Sequence, residues 1–219
     1  MDNIVKNLLD IENNIKVNLN KLNINNYPKI IAVSKTFKMD KILPLIEHGH
    51  IDYGENKVQE ALEKWKEIKK TNTKIQLHMI GKLQTNKVKI AVQLFDYIHS
   101  VDSHKLAEKI ANEQSKINKK IKIFLQVNIG DEDQKSGIDK YKISDLFTFC
   151  KEHKLDVIGL MCIPPVNIDP TVHFKEMKEL TNNLNFKELS MGMSSDYLKA
   201  AENSSTYLRI GSSIFGNRN

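Results

Sequence analysis

Apolar residues recur along this 219-residue chain with two alternating periods, one suited to helices and one to buried strands. Residues 2–22 place Ile4, Leu8, Ile11, Ile15 and Leu19 three or four apart, which predicts an amphipathic helix. Asn23 to Pro28 interrupts it. Lys29-Ile-Ile-Ala-Val-Ser-Lys35 follows, a short β-branched run suited to a parallel strand covered on both faces. Ile42, Leu45 and Ile46 predict a second helix, and Ile51 to Gly54 a short strand. The cycle then repeats. Helix 57–70 gathers Val58, Ala61, Leu62, Trp65 and Ile68 on one face, and strand 75–80 closes at Gly81. Helix 85–94 takes Thr85 as its N-cap and buries Val88, Ala91, Val92 and Phe95. Strand 97–101 leads to a helix capped by Ser103 that runs to about Ile117. Strand 121–129 sets Ile121, Ile123, Leu125, Val127 and Ile129 on one side, with Gln126 and Asn128 opposite. Helix 141–153, strand 157–163, helix 170–184, strand 188–191, helix 195–203, strand 206–210 and a terminal helical turn complete the pattern.

Eight β-then-α units without a break in alternation predict an α/β protein: a single (β/α)8 TIM-like barrel domain over residues 1–219, with an extra N-terminal helix. A barrel of this kind keeps its site at the C-terminal ends of the strands. A doubly wound open sheet is the competing architecture, but no Gly-x-Gly-x-x-Gly follows the first strand. Glycine is scarce, and Gly54, Gly81, Gly130, Gly192 and Gly211 fall at or just after predicted strand ends. Turn geometry there and closeness to a site both account for them.

Composition narrows the functional classes. Hydrophobic content of 40% and charged content of 27% suit a soluble globular chain. No apolar run reaches membrane-spanning length, and the start lacks the basic-then-apolar pattern of a secretion signal, so the expected location is cytoplasmic and no membrane partner is expected. The net charge of +6 raises the question of nucleic acid. However, its lysines are scattered among glutamates, as in Glu63-Lys-Trp-Lys-Glu67, so no nucleic-acid partner is expected. Cys150 and Cys162 have no metal-type spacing, and no His or carboxylate cluster does either, so no metal is expected.

Candidate chemistry gathers at the two ends of the chain. Leu189-Ser-Met-Gly-Met-Ser194 and Tyr207-Leu-Arg-Ile-Gly-Ser-Ser-Ile-Phe-Gly216 each run from a short strand into glycine and hydroxyl residues. Side by side, such junctions aim N–H groups and hydroxyls of Ser194, Gly211, Ser212 and Ser213 at one point, a natural phosphate site. Among 33 Lys+Arg, only Arg209 and Arg218 are arginine. Arg209 therefore marks a site that needs a forked, permanently charged donor, or else chance retention or an ordinary salt bridge. Lys35 ends the first strand among apolar neighbours. Desolvation there would leave free amine for a Schiff base, while a lysine that reaches out past the strand end is the alternative. Asn56 precedes a helix as its N-cap and would also set an amide beside Lys35. His78 reads as a hydrogen-bonded core histidine, and His48 and His50 as surface residues. Gln126 and Asn128 must line the site or bond within it.

Taken together, Ala32-Val-Ser-Lys35, Gly54-Glu-Asn-Lys-Val-Gln-Glu60, His78-Met-Ile-Gly-Lys-Leu-Gln-Thr-Asn-Lys87, Gln126-Val-Asn128, Gly159-Leu-Met161, Leu189-Ser-Met-Gly-Met-Ser194 and Arg209-Ile-Gly211 with Phe215-Gly216 resemble the pyridoxal-phosphate homeostasis proteins (the YggS/PROSC family). The resemblance spans nearly the whole chain, with the motifs in order. It implies a barrel of pyridoxal-phosphate fold type III, related to the alanine racemase N-terminal domain, that holds pyridoxal 5'-phosphate (PLP) covalently on Lys35. It further implies that Ser194, Gly211 and Ser212 hold the phosphate, that Met193 and Asn56 lie near the cofactor, and that Arg209 faces the pyridine nitrogen. Two departures stand out. Ser212 replaces an expected threonine and keeps its hydroxyl, and Asn203-Ser-Ser-Thr206 lacks the usual glycine, so a different local turn is expected.

The family points to a carrier or buffer of PLP, acting as a monomer, with PLP-dependent apoenzymes as recipients and no catalytic turnover of its own. The alternative is a racemase-like enzyme. Racemisation needs a proton donor or acceptor on each face of the substrate carbon. In racemases a further C-terminal domain supplies the second, and a chain ending at Asn219 is expected to lack it.

Overall fold

Each apolar run of the sequence becomes a strand of one closed sheet. In the computed structural model, which describes residues 2–130, 136–166 and 168–216, eight parallel strands pair in chain order. They are β1 (Lys29–Val33), β2 (Asp52–Glu55), β3 (Gln76–Met79), β4 (Tyr97–Val101), β5 (Lys122–Val127), β6 (Asp156–Cys162), β7 (Glu188–Ser190) and β8 (Tyr207–Ile210). Closure is direct: Lys29, Ile30, Ile31 and Ala32 of β1 stand in register with Tyr207, Leu208, Arg209 and Ile210 of β8. The (β/α)8 architecture is as the alternation predicts, and the open-sheet alternative is excluded.

Helices cover the outside: α2 (Met39–His48), α3 (Val58–Thr71), α4 (Val88–Leu94), α5 (His104–Lys116), α6 (Ile143–Glu152), α7 (Thr171–Asn183), α8 (Tyr197–Glu202) and α9 (Ser212–Phe215). The last is a single turn, too short to cover the seam between β8 and β1. The leading helix α1 (Asn3–Lys21) packs against α2, α8 and α9 and takes over that role. It starts where the Asp2 carboxylate accepts from the Ile4 N–H at 2.7 Å, a helix N-cap. Its apolar stripe, Ile4, Val5, Leu8, Ile11, Ile15 and Leu19, is wholly buried. On its flank Asn7 Nδ2 donates to the Ile214 carbonyl at 2.9 Å, tying α1 to α9.

Period-two alternation divides the strand side chains into two cores. Ile123, Leu125 and Val127 of β5 pack outward with the helices, together with Leu77, Ile98, Leu208 and Ile210. Ile31, Tyr97, Phe124, Met161 and Tyr207 form a separate inner cluster along the barrel axis.

Local expectations fail at three caps. Thr85 is not the N-cap of α4. The chain first makes a 3-10 turn over Thr85–Lys87, and α4 begins at Val88 with Lys87 before it. Asn56 does not cap α3 either, because Lys57 occupies that position. Ser103 stands at the N-cap of α5, but its side chain makes no capping bond. Ser204, in Asn203-Ser-Ser-Thr206, has φ 69° and so adopts the left-handed conformation at some steric cost.

Candidate functional site

At the C-terminal mouth of the barrel lies a cavity of about 620 Å³, lined from both ends of the chain. Period two explains who reaches it. In β1 and its extension, Ile31 belongs to the inner cluster, so Val33 and Lys35 face the same way, and both line the cavity. The chain after β2 adds Asn56, the chain after β3 adds Ile80, and β8 adds Arg209 and then Gly211. The correction at Asn56 has the same origin: extending β2 by one residue turns its side chain inward, away from the helix start.

The seven residues to which the resemblance gives a place at the cofactor, Lys35, Asn56, Met193, Ser194, Arg209, Gly211 and Ser212, line this one cavity, joined by Ser195 and Ile163. The other candidates, Ser213, Gln126 and Asn128, do not line it. At the β7 and β8 junctions the Gly211 and Ser213 N–H groups both donate to Ser194 Oγ, each at 3.3 Å. Two backbone donors thus converge on one point, the arrangement that favours an anion. Gly192 makes the approach possible. Its φ is +91°, and a Cβ there would sit 2.4 Å from that of Ala200. Met193 N–H is bound to Asp196 Oδ1 at 2.6 Å, which fixes the loop ahead of Ser194.

Lys35 is half-buried at the mouth, and its backbone is held on both sides. Before it, Ser34 Oγ donates to Glu55 Oε1 at 2.7 Å, and Lys64 Nζ donates to the Ser34 carbonyl at 2.8 Å. After it, Thr36 adopts φ 68° while its N–H donates to Glu60. A β-branched residue in the left-handed region is strained, and here the bond to Glu60 holds it. Lys64 also bonds Glu55 and Glu60, and Trp65 Nε1 donates to Glu55 at 2.9 Å. Sequence reading assigned Glu55, Glu60 and Lys64 no role at the site and placed Trp65 only on the apolar face of its helix. The only signal available was an i, i+4 Glu60–Lys64 pair beside the strand that carries Lys35.

Arg209 is buried inside the barrel. Its Nη1 donates to Ser190 Oγ at 2.7 Å and its Nη2 to the Cys162 carbonyl at 2.8 Å. Among the described residues no carboxylate forms an ion pair with it, so the salt-bridge reading falls away there; Arg218 lies outside them. Burial moves the guanidinium below its ordinary value, yet it stays charged.

His78 is fully buried and hydrogen-bonded, as expected: Nε2 meets Asp52 Oδ1 at 2.9 Å and Nδ1 meets His99 Nε2 at 3.0 Å. His48 is exposed, whereas His50 corrects the surface reading. It is half-buried, with Nε2 bonded to the Asp52 carbonyl at 2.9 Å, and burial pulls it below the usual histidine value. Gln126 bonds within the barrel mouth, its Nε2 donating to the Ser136 carbonyl at 3.1 Å. His99, Ser190 and Asp52 drew no functional reading from the sequence because their partners lie on other strands, far away in the chain.

Comparison with known proteins agrees with this fold. The family model of the alanine racemase N-terminal domain matches residues 7–219. A protein of Aquifex aeolicus named pyridoxal phosphate homeostasis protein is 36% identical over 203 residues, covering 88% of each chain. One of the same name from Haemophilus influenzae is 35% identical, covering 99% of this chain and 97% of its own. Among solved structures, PipY of Synechococcus elongatus with PLP bound superposes with a TM-score of 0.81 at 32% identity, covering 92% of this chain and all of that one.

Proposed function

The chain belongs to the pyridoxal phosphate homeostasis proteins, on the scaffold of the alanine racemase N-terminal domain, and from that premise we propose that it binds PLP and buffers or carries it without turnover of its own. The observation that carries this reading is the convergence of Lys35, Arg209 and the Ser194–Gly211–Ser212 junction on one cavity of about 620 Å³. That volume lies in the range of cofactor sites. The Gly211 and Ser213 N–H groups and the Ser194 and Ser212 hydroxyls fit a phosphate, and the half-buried amine of Lys35 fits an aldehyde. PLP when bound supplies that aldehyde. The Lys35 amine would be the group that holds that aldehyde covalently, with loss of water. Asn56 and Met193 would flank the cofactor, and Arg209 would set a permanent cation beside the pyridine nitrogen, disfavouring its protonation and so weakening the ring as an electron sink.

The non-enzymatic half of the reading rests on the same lining. Beside Lys35, no tyrosine, histidine, cysteine or carboxylate lines the cavity among the described residues; the hydroxyls of Ser194, Ser195 and Ser212 are there but are much weaker acids and bases. Two-sided proton transfer needs a second effective acid or base. We extend the proposal to one domain over residues 1–219, acting as a cytoplasmic monomer that hands PLP to apoenzymes. The two free, buried cysteines suit a reducing compartment.

A visible spectrum of the purified protein with and without added PLP tests the assignment. We expect a yellow protein, borohydride fixation of the cofactor on the Lys35 peptide, and loss of both in Lys35→Ala. A colourless protein that takes up no PLP overturns the reading. Amino-acid turnover at ordinary enzyme rates, abolished by Lys35→Ala, overturns its non-enzymatic half.

A further inference from the structure

The inside of a (β/α)8 barrel is ordinarily filled by branched aliphatic side chains. Here a line of polar groups runs through it. Arg209 Nη1 lies 2.7 Å from Ser190 Oγ, Ser190 Oγ 2.9 Å from His99 Nδ1, His99 Nε2 3.0 Å from His78 Nδ1, and His78 Nε2 2.9 Å from Asp52 Oδ1. Ser190, His78 and His99 have no exposed surface, and Arg209 only 4%. The rings are packed between aromatics, His78 stacked on Tyr97 and His99 on Phe124, each with centroids 4.2 Å apart. Asp52 ends the line at the opposite pole, where it lines a second cavity with Lys29 and His50.

Elementary donor–acceptor rules order every proton in this line. A carboxylate only accepts, so His78 Nε2 carries a hydrogen and, in the neutral ring, Nδ1 accepts. His99 Nε2 must then donate, leaving its Nδ1 to accept from the Ser190 hydroxyl. Ser190 Oγ in turn accepts from Arg209. All four bonds point the same way, from a cation at the mouth to a carboxylate at the base, and every ring nitrogen is satisfied. The charged groups facing the line are Asp52, Asp96 and Lys29 at the His78 end and Arg209 at the His99 end. Burial holds both histidines below the ordinary value, and Arg209 adds to this at His99.

We propose that Asp52, His78, His99 and Ser190 are positioning residues, a proton-ordered string that fixes the Arg209 guanidinium in the floor of the cavity and so sets the charge a bound ring meets. A string kept for packing alone has little to recommend it, since an apolar core of equal volume is commonly as stable. That the ring is PLP's rests on the function proposed above; the ordering of the string does not.

Nitrogen-resolved NMR of the full chain without cofactor reads the string directly. His78 and His99 should both be neutral Nε2–H tautomers at about pH 7.5 and should titrate only below the ordinary histidine value of about 6.5. With two arginines in the chain, the Arg209 side-chain signals are readily told from those of Arg218. Their N–H exchange should be slow, and about tenfold or more faster in Ser190→Ala and His99→Gln. Ser190→Ala removes one small hydroxyl and serves if His99→Gln fails to fold. With PLP added, Ser190→Ala should bind about tenfold more weakly and with a shifted absorption maximum, while borohydride still fixes the cofactor on Lys35. An Nδ1–H tautomer or a charged ring in the wild type at about pH 7.5, or unchanged exchange in Ser190→Ala, overturns the string. Faster exchange with unchanged PLP affinity and spectrum overturns its link to the ligand. A wild type that takes up no PLP overturns the proposed function instead, and the cofactor-free measurements still decide the string.

Discussion

At the scale of single residues, the contrast between Lys35 and Arg209 is one of exposure and restraint. Lys35 stands half-buried at the mouth, where an amine can be reached and can react. Arg209 is buried beneath it and held by two bonds, to Ser190 and to the Cys162 carbonyl. A guanidinium so held offers a fixed plane of donors, which an ammonium on a flexible stem cannot reproduce. Arg209→Lys should therefore keep PLP uptake, because the phosphate junction and Lys35 are untouched, but shift the absorption of the bound cofactor. A visible titration checks this, and an unshifted spectrum would count against a contact between Arg209 and the ring.

At the scale of elements, the decisive fact is the single-turn length of α9. Because the eighth helical position is nearly empty, α1 must fill it, and the N-terminal stripe becomes part of the barrel's cover rather than an appendage. Leu8 is 1% exposed on that stripe. Leu8→Ala should cost about 2–5 kcal/mol, as buried leucine truncations do. Urea unfolding measures the loss. A cost near zero would mean that α1 is dispensable to the barrel. The β7–α8 and β8–α9 connections work by a different rule, in which backbone conformation rather than packing aims the donors. Gly192 supplies the left-handed step, and Ser194 gathers the two N–H groups.

The molecule as a whole carries the consequence of a polar barrel interior in its response to pH. His78 and His99 are held below the ordinary histidine value of about 6.5, chiefly by burial. Above that value both folded and unfolded chains hold them neutral, and stability is at its full level. As pH falls through it, the unfolded chain takes up protons that the folded barrel refuses, so stability declines by roughly 1 kcal/mol per pH unit for each histidine. His50 shifts in the same direction and adds to the decline. The carboxylates held low, such as Asp169 at about 2, lose their contribution only at more acid pH, below about 4.5. Between about pH 6.5 and 5 the histidines dominate, opposed by Glu12, whose carboxyl burial holds above its usual value, so that its protonation favours the folded chain as pH falls. Urea unfolding at about pH 7.5 and 5.5 should show the drop, and a flat profile would contradict neutral burial of the pair.

Much of this protein was legible in the chain itself. Period-two and helical apolar spacing set the eight β–α units, because burying each run on one or both faces leaves few other elements it can form. The scarcity of arginine singled out Arg209, and glycine–hydroxyl junctions marked the β7 and β8 ends, since both reflect chemistry that only certain residue types can supply. Tertiary structure decided what depends on neighbours distant in sequence. Asn56 reads locally as both a helix cap and a neighbour of Lys35, and only the folded barrel decides against the cap and for the cavity. Glu55, Glu60 and Lys64 are ordinary charges until α3 packs them behind β1. His78, His99, Ser190 and Asp52 lie on four different strands. No spacing along the chain reveals that closing the sheet lines them up, one hydrogen bond apart, between the base of the barrel and Arg209.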